Sequence, residues 1–329
     1  MAIAFSIVGI IFLVGGAYVL VEGASRIAFA FGISELLVGL TVVAIGTSAP
    51  ELAIVVASAL QERAGEISGG SELIIGNVVG SNIANIGLIL GFSAVANSIS
   101  VPKEVIRRDF GWLLGATVLV GVFALNSEFV TYEGAILLVG MVIFSFFQYR
   151  LGMEQSHKHA EEVEAGGGGA ERPNMLRAMA PNIVMVILGI IGLAIGSEFL
   201  VEGATEIALD LGISEYIIGL TLVAVGTSLP ELATSVIGSM KGEGQLVVGN
   251  IIGSNIYNLL LVLASGAIIT NIVVPDQVLT VQIPLMIGLT FALYPIMRSG
   301  RQVHRVEGTF LLAAYVIITG LAFVINPAG

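Results

Sequence analysis

Apolar residues run along this chain in blocks of roughly 20, long enough to cross the hydrocarbon core of a bilayer as helices. Ten blocks can be read, at residues 3–31, 34–60, 72–97, 110–126 and 130–149, then at 181–210, 214–239, 246–270, 278–298 and 307–325. Barrel strands would instead alternate apolar and polar positions. The pattern therefore predicts an all-α polytopic membrane protein. The first block lacks a basic leader and reads as a span, not as a cleavable signal. One long polar interval, Arg150 to Arg177, includes HKHAEEVEAGGGGAERPN and reads as a flexible linker. The expected organisation is a five-helix repeat over 1–149, a linker over 150–180 and a second five-helix repeat over 181–329. An odd number of spans in each half turns the second upside down, so ten transmembrane helices in two inverted repeats are expected.

Polar residues interrupt the apolar blocks in a repeated way. Leu20 to Ala53 reads LVEGASRIAFAFGISELLVGLTVVAIGTSAPELA, and Leu200 to Ala233 reads LVEGATEIALDLGISEYIIGLTLVAVGTSLPELA; 23 of the 34 positions are identical. A second pair follows, IIGNVVGSNIAN (Ile74 to Asn85) and VVGNIIGSNIYN (Val247 to Asn258). Polar motifs duplicated at membrane depth point to a site built from two halves.

Within GTSAPE (Gly46 to Glu51) and GTSLPE (Gly226 to Glu231), Pro50 and Pro230 cannot donate to the carbonyls of Gly46 and Gly226. The helix should break there, and the freed carbonyls are ligands for hard cations. Breaks at this depth are tolerated where they are packed in protein or line a watery cavity. Thr47 and Glu51 are four apart and should share a helix face, as should Thr227 and Glu231. Glu51 and Glu231 are the acids expected near the midplane, where a charge costs at least about 2.5–3.5 kcal/mol. A pair of protonated structural glutamates is the bland alternative. Its weakness is that the same costly residue stands in both copies of the motif. Asn77, Ser81 and Asn85 recur every four residues, as do Asn250, Ser254 and Asn258, giving each half a stripe of neutral oxygen ligands. For Asn77 and Asn250, bonding across helices is an equal alternative to ligation. Glu22 and Glu202 read as interfacial or packing residues, and His157 and His159 as part of the hydrated linker. Each ISE, at Ser34 and Ser214, reads as a helix start with Ser as N-cap.

Composition narrows the chemistry. There is no Cys, one Trp and three His, so thiolate sites are excluded and little remains for zinc or haem; no cofactor is expected. The net charge of −11 argues against nucleic acid. Oxygen-only ligands with two carboxylates suit Na⁺, Ca²⁺ or Mn²⁺, while Mg²⁺ dehydrates reluctantly. A carboxylate pair that satisfies either Ca²⁺ or Na⁺, but not both loads at once, is a physical basis for exchange. Of the 13 basic side chains, Arg63 alone falls at one expected face, with Glu62, Glu66, Glu72, Glu128, Glu133, Asp210, Glu215 and Asp276 around it. The positive-inside rule then places the linker in the cytoplasm and both termini outside.

The paired motifs resemble the α-repeats of the sodium/calcium exchanger family, within the cation/Ca²⁺ exchanger superfamily, over essentially the whole chain. The GN-x-x-E type motif typical of related cation/proton exchangers is not found. The resemblance implies that Glu51 and Glu231 are the central ligands of both ions. Thr47 and Thr227, with the carbonyls of Ala44 and Ala224, would complete the central and flanking sites, and Ser48 and Ser228 fall in the same ligand set. Ser81 and Ser254 would serve Na⁺ sites nearer the inner and outer faces, and Asn85 would line the centre. The family frequently has Asp where this chain has Asn258, so the resemblance leaves stoichiometry, K⁺ dependence and proton sensitivity open. It also implies alternating access, the first and sixth helices sliding against the other eight, in a protein that works as a monomer in the bilayer with Na⁺ and Ca²⁺ as its partners. The linker is too short for the regulatory domains of larger members. The expected function is thus a secondary antiporter, not an enzyme. The alternatives are H⁺ or K⁺ coupling on the same fold, a passive cation channel, and an intramembrane hydrolase, for which no recognisable signature is present.

Overall fold

A computed structural model of the chain describes residues 1–165, 175–211 and 224–325. A helix stands on each apolar block: α1 (Ala2–Phe31), α2 (Glu35–Thr47) and α3 (Ala49–Ala64), α4 (Gly70–Ala96), α5 (Val105–Asn126), α6 (Thr131–Ala165), α7 (Met175–Asp210), α8 (Ala224–Thr227) and α9 (Leu229–Lys241), α10 (Gly244–Ile269), α11 (Val278–Arg298) and α12 (Arg305–Ile325). Among the described residues, seven are long and apolar enough to cross a membrane, and the bent pair α2–α3 makes an eighth. The start of the expected 214–239 span, with Ser214 and Glu215, lies outside the described residues.

The flexible linker needs correction. Helix α6 runs on to Ala165, and α7 already starts at Met175, so helix occupies much of 150–180. The polar stretch after Arg150 is rich in Glu, Gln and Lys, which are good helix formers. A Glu154–Lys158 pair, with Nζ 2.7 Å from Oε1, supports its exposed face. The glycine run lies outside the described residues.

Helices α4 and α10, which carry the second motif, are the innermost: 72% and 94% of their apolar stretches are buried. Around them the main core gathers side chains such as Ile74, Val78, Leu113, Phe144, Ile251 and Leu263. A second apolar cluster joins α1 to α7 through Leu13, Ala17, Leu20, Val186 and Leu193. Gly9, Gly16 and Gly23 on α1 meet Gly189, Gly196 and neighbouring backbone on α7; a Cβ at Gly16 would lie 2.8 Å from Leu193 N. Small residues let these two helices approach closely. The α1–α7 pair thus has an apolar cluster of its own, which Leu246 of α10 joins and against which Leu229, Ala233 and Ile237 of α9 pack. Helix α2 contributes to both clusters, with Val38 and Val43 in the smaller one and Leu36, Leu40 and Ala44 in the main core.

Two features were not legible in the sequence. Among the described residues, five wide turns, with i→i+5 spacing, open the helices at Gly39–Val43, Asn85–Ile89, Val105–Asp109, Asn258–Val262 and Val278–Gln282. Such turns concentrate at functional sites, and those at Asn85 and Asn258 begin on corresponding residues of the repeat. Four two-residue strands among the described residues also pair across the halves. β1 (Ile99–Ser100) bonds antiparallel to β4 (Gln302–Val303), with Ile99 opposite Val303. β2 (Glu128–Phe129) bonds to β3 (Ile272–Val273), with Phe129 opposite Ile272. Ser127 and Arg301, at φ 60° and 54°, are the described non-glycine residues in the left-handed region. The Ser127 carbonyl accepts from Val274 N at 2.9 Å, and that of Arg301 from Val101 N at 2.8 Å.

Candidate functional site

Both GTS-x-PE motifs break their helix at the serine. Ser48 sits at φ −84°, ψ 5° and Ser228 at φ −89°, ψ 3°, and each proline falls in the first turn of the helix that follows. The bend between α2 and α3 is 43°. The break therefore stands between Thr47 and Glu51, and the shared face expected from their spacing is interrupted by it. Proline removes one backbone bond, but the neighbouring ones persist: Ser48 N donates to Ala44 O at 3.0 Å and Leu52 N to Ser48 O at 3.2 Å. The Ala44 carbonyl is thus already an acceptor in the ladder. Ala224 opens α8, and its side chain lies outside the described set.

The residues after the break reach across to the other half. Ser48 Oγ donates to Glu231 Oε1 at 3.2 Å. Ser228 Oγ donates to Ser81 Oγ at 3.3 Å. Thr47 Oγ1 donates to Asn250 Oδ1 at 3.2 Å and lies 3.5 Å from Ser254 Oγ. These contacts need α10 to press close to α2, and glycine permits it. A Cβ at Gly249 would come 2.5 Å from Leu36 O, and one at Gly253 would come 2.7 Å from the Ala44 Cβ.

Glu51 and Glu231 are each 1% exposed and interact electrostatically with each other. Both oxygens of Glu51 and the Oε2 of Glu231 have no hydrogen-bond partner. One turn beyond Ser81 and Ser254, the buried Asn85 Oδ1 and Asn258 Oδ1 are also unpartnered, as is Asn258 Nδ2. Unpaired buried polar atoms are costly. Buried oxygens without partners are what a hard cation with several oxygen ligands can satisfy. The twelve residues expected to bind metal thus divide: Thr47, Ser48, Ser81, Ser228, Ser254 and Glu231 are joined by contacts across the halves, Glu51 interacts electrostatically with Glu231, Thr227 is buried beside its break, and Asn85 and Asn258 stand one turn beyond Ser81 and Ser254. Ala44 and Ala224 enter only through backbone.

Helix α10 begins just after Lys241, at the basic end, and Ser254 lies nearer Gly244 than Ile269. Helix α4 begins beside the acidic end, near Glu66, and Ser81 lies nearer Gly70 than Ala96. Ser254 is therefore on the basic-end side and Ser81 on the acidic-end side. The direction of each helix decides this, and the repeat alone conceals it.

Asn250 bonds across helices, to Thr47 and, through Nδ2, to Ser235 Oγ at 3.2 Å. Its counterpart Asn77 has a buried Oδ1 without a partner. Ser197 on α7 donates to the Gly226 carbonyl at 2.5 Å, so it occupies the oxygen that Pro230 frees. Ser197 and Ser235 were missed from sequence because they stand where the copies differ, opposite Ala17 and Val55. Glu22 pairs with Arg26 at 2.9 Å and with Lys241. Ser34 caps its helix, accepting from Leu37 N at 3.3 Å.

With this geometry in view, the similarities are informative. Residues 1–150 and 181–324 match the family described as sodium/calcium exchanger protein. The chain is 33% identical over 348 residues to the sodium/calcium exchanger MaX1 of Methanosarcina acetivorans, covering 97% of each. It is 34% identical over 335 residues to the inner membrane protein YrbG of Escherichia coli, covering 99% of this chain and 98% of that one. The solved structure of the sodium-calcium exchanger NCX_Mj soaked with Na⁺ and Sr²⁺ superposes with a TM-score of 0.81 at 32% identity, covering 97% of each chain. Both halves are therefore matched, and the chain belongs to the sodium/calcium exchanger protein family, whose members are multi-pass membrane transporters.

Proposed function

We propose that this protein exchanges Ca²⁺ for Na⁺ across the cell membrane, at one midplane site that opens alternately to either side. The observation that carries the reading is the pair Glu51 and Glu231, buried together with three of their four carboxylate oxygens unpartnered. Two such carboxylates neutralise one Ca²⁺ or a small number of Na⁺ ions. The neutral oxygens of Thr47, Thr227, Ser48, Ser228, Ser81, Ser254, Asn85 and Asn258 surround or flank that pair. Occupancy by one ion leaves no room for the other, and competition couples the two gradients.

Ten spans in two inverted halves fit the reciprocal strand pairing, in which each half supplies one strand to each sheet. The basic residues favour a cytoplasmic segment between the halves and both termini outside. The separate packing of α1 with α7 supports alternating access by movement of that pair against the rest. The single chain contains both halves of the site, which favours function as a monomer. A channel would more commonly ring its filter with several subunits.

The test is isotope flux. Purified protein in Na⁺-loaded vesicles should take up ⁴⁵Ca²⁺ when an outward Na⁺ gradient is imposed and stop when the gradient is collapsed. Equal uptake without the gradient sinks the proposal. Asn258 motivates parallel gradients of H⁺ and K⁺, because an amide stands where an acid is frequent in relatives; uptake driven by either alone would establish that coupling instead.

A further inference from the structure

Ser235 has no place in the repeated motif, yet it is fully buried and touches the site through one intermediary. Asn250 Nδ2 donates to Ser235 Oγ at 3.2 Å, and Asn250 Oδ1 accepts from Thr47 Oγ1 at 3.2 Å. All three residues are at most 1% exposed. The direction of the chain follows from the donors available. An Asn side chain has one donor end and one acceptor end. With Ser235 Oγ accepting at the amide nitrogen, the carbonyl end is turned toward Thr47. Thr47 has one hydroxyl proton and three neighbours within reach: Asn250 Oδ1, Ser254 Oγ at 3.5 Å and the Ala44 carbonyl at 3.4 Å. If that proton goes to Asn250, a Thr47 lone pair is left toward Ser254, as a cation ligand requires.

The other half lacks this support. Position 55 is Val, fully buried, and offers no acceptor. Asn77 Oδ1 is buried and unpartnered. The pair Ile54–Val55 in α3 stands where α9 has Thr234–Ser235. The two copies are thus alike in candidate ligands and unlike in what holds them.

We propose that Ser235 is a positioning residue for the cation site: by fixing the Asn250 amide it disposes of the Thr47 proton and sets the Thr47–Ser254 side of the site to accept Na⁺. This rests on the exchange reading above. Na⁺ is the ion that should register the loss. Ca²⁺ is held chiefly by the two carboxylates, whereas a monovalent ion beside them depends on neutral oxygens that must already point inward. Without Ser235 the amide is free to turn, and its NH₂ end can then compete with Na⁺ at Thr47.

The test compares two affinities on purified full-length protein. ⁴⁵Ca²⁺ binding gives the Ca²⁺ affinity, and Na⁺ displacement of bound ⁴⁵Ca²⁺ gives the Na⁺ affinity. Ser235→Ala should raise the half-displacing Na⁺ concentration about fivefold, the size of one lost hydrogen bond, with Ca²⁺ affinity unchanged. Ser235→Thr, which keeps the hydroxyl, should return Na⁺ displacement to the wild-type value. Equal weakening of both ions, or no change in either, overturns the proposal, as does failure of Ser235→Thr to rescue a folded Ser235→Ala protein. Failure of Na⁺ to displace Ca²⁺ from the wild type would overturn the exchange reading instead, so the two failures are distinguishable.

Discussion

The two halves build the same break and brace it differently. Around Ser228, Ser197 occupies the carbonyl freed by Pro230, and Ser235 holds the amide of Asn250. Around Ser48, the corresponding positions are Ala17 and Val55, both fully buried and both without a hydroxyl. The contrast continues at the ends of the helices. Glu22 pairs with Arg26 and Lys241, while the repeat puts Glu202, Glu206 and Gln61 in the matching places. What is held in common is the set of oxygens that can face an ion. What differs is the hydrogen bonding behind them, which is free to differ because it can be supplied from any neighbouring helix. Equal ligands with unequal bracing would give one ion path with two different ends.

The largest effect should ignore that asymmetry. Glu51→Gln and Glu231→Gln should each reduce Na⁺-driven ⁴⁵Ca²⁺ uptake to that of empty vesicles while the protein elutes as a folded species; normal exchange by either would break the central assignment. Next comes the packing within the α1–α7 pair. Gly16→Val places side-chain atoms against the Leu193 backbone, and overpacking of this kind costs about 1–3 kcal/mol. The thermal midpoint should fall and exchange should slow, whereas Gly15→Val, where a Cβ would meet nothing within 4 Å, should leave both near wild type. A smaller difference should separate the breaks. Ser197→Ala strands the Gly226 carbonyl and should cost about 1 kcal/mol in thermal stability; Ala17→Leu would test only crowding, so the proper mirror is Ala17→Ser, expected to be stability-neutral within that range. Equal losses from both would show that the halves are braced alike. The smallest effect belongs to Glu22→Gln, which removes partly exposed ion pairs and should cost no more than about 1 kcal/mol. Its cost should shrink in high salt, and Glu202→Gln, an exposed acid, should show no such dependence.

Much of this was readable from residue order because the repeated parts carry it. Pro50 and Pro230 announce the breaks, and the four-residue spacing of Asn77, Ser81 and Asn85 announces a polar stripe inside an apolar helix. The bracing was not readable. Ser197 and Ser235 look like ordinary small residues in apolar sequence, and only the approach of another helix gives them partners. The wide turns at Asn85 and Asn258 leave no mark in spacing, since they change which residue bonds to which without changing the composition. The polar stretch after Arg150 is helical for a local reason: Glu, Lys and Gln sustain an exposed helix.

The exchanged strands have a consequence for how the chain is made. Ile99 and Phe129 leave the ribosome long before Val303 and Ile272, the residues they finally lie against. The early half therefore enters the membrane with two short edges waiting, and no amount of time lets it close them alone. Completion falls to the last third of the polypeptide, which fastens both ends at once. A truncation before Gln302 would leave one of the two fastenings undone even with nearly every helix in place, and the two halves made as separate chains should seek each other out.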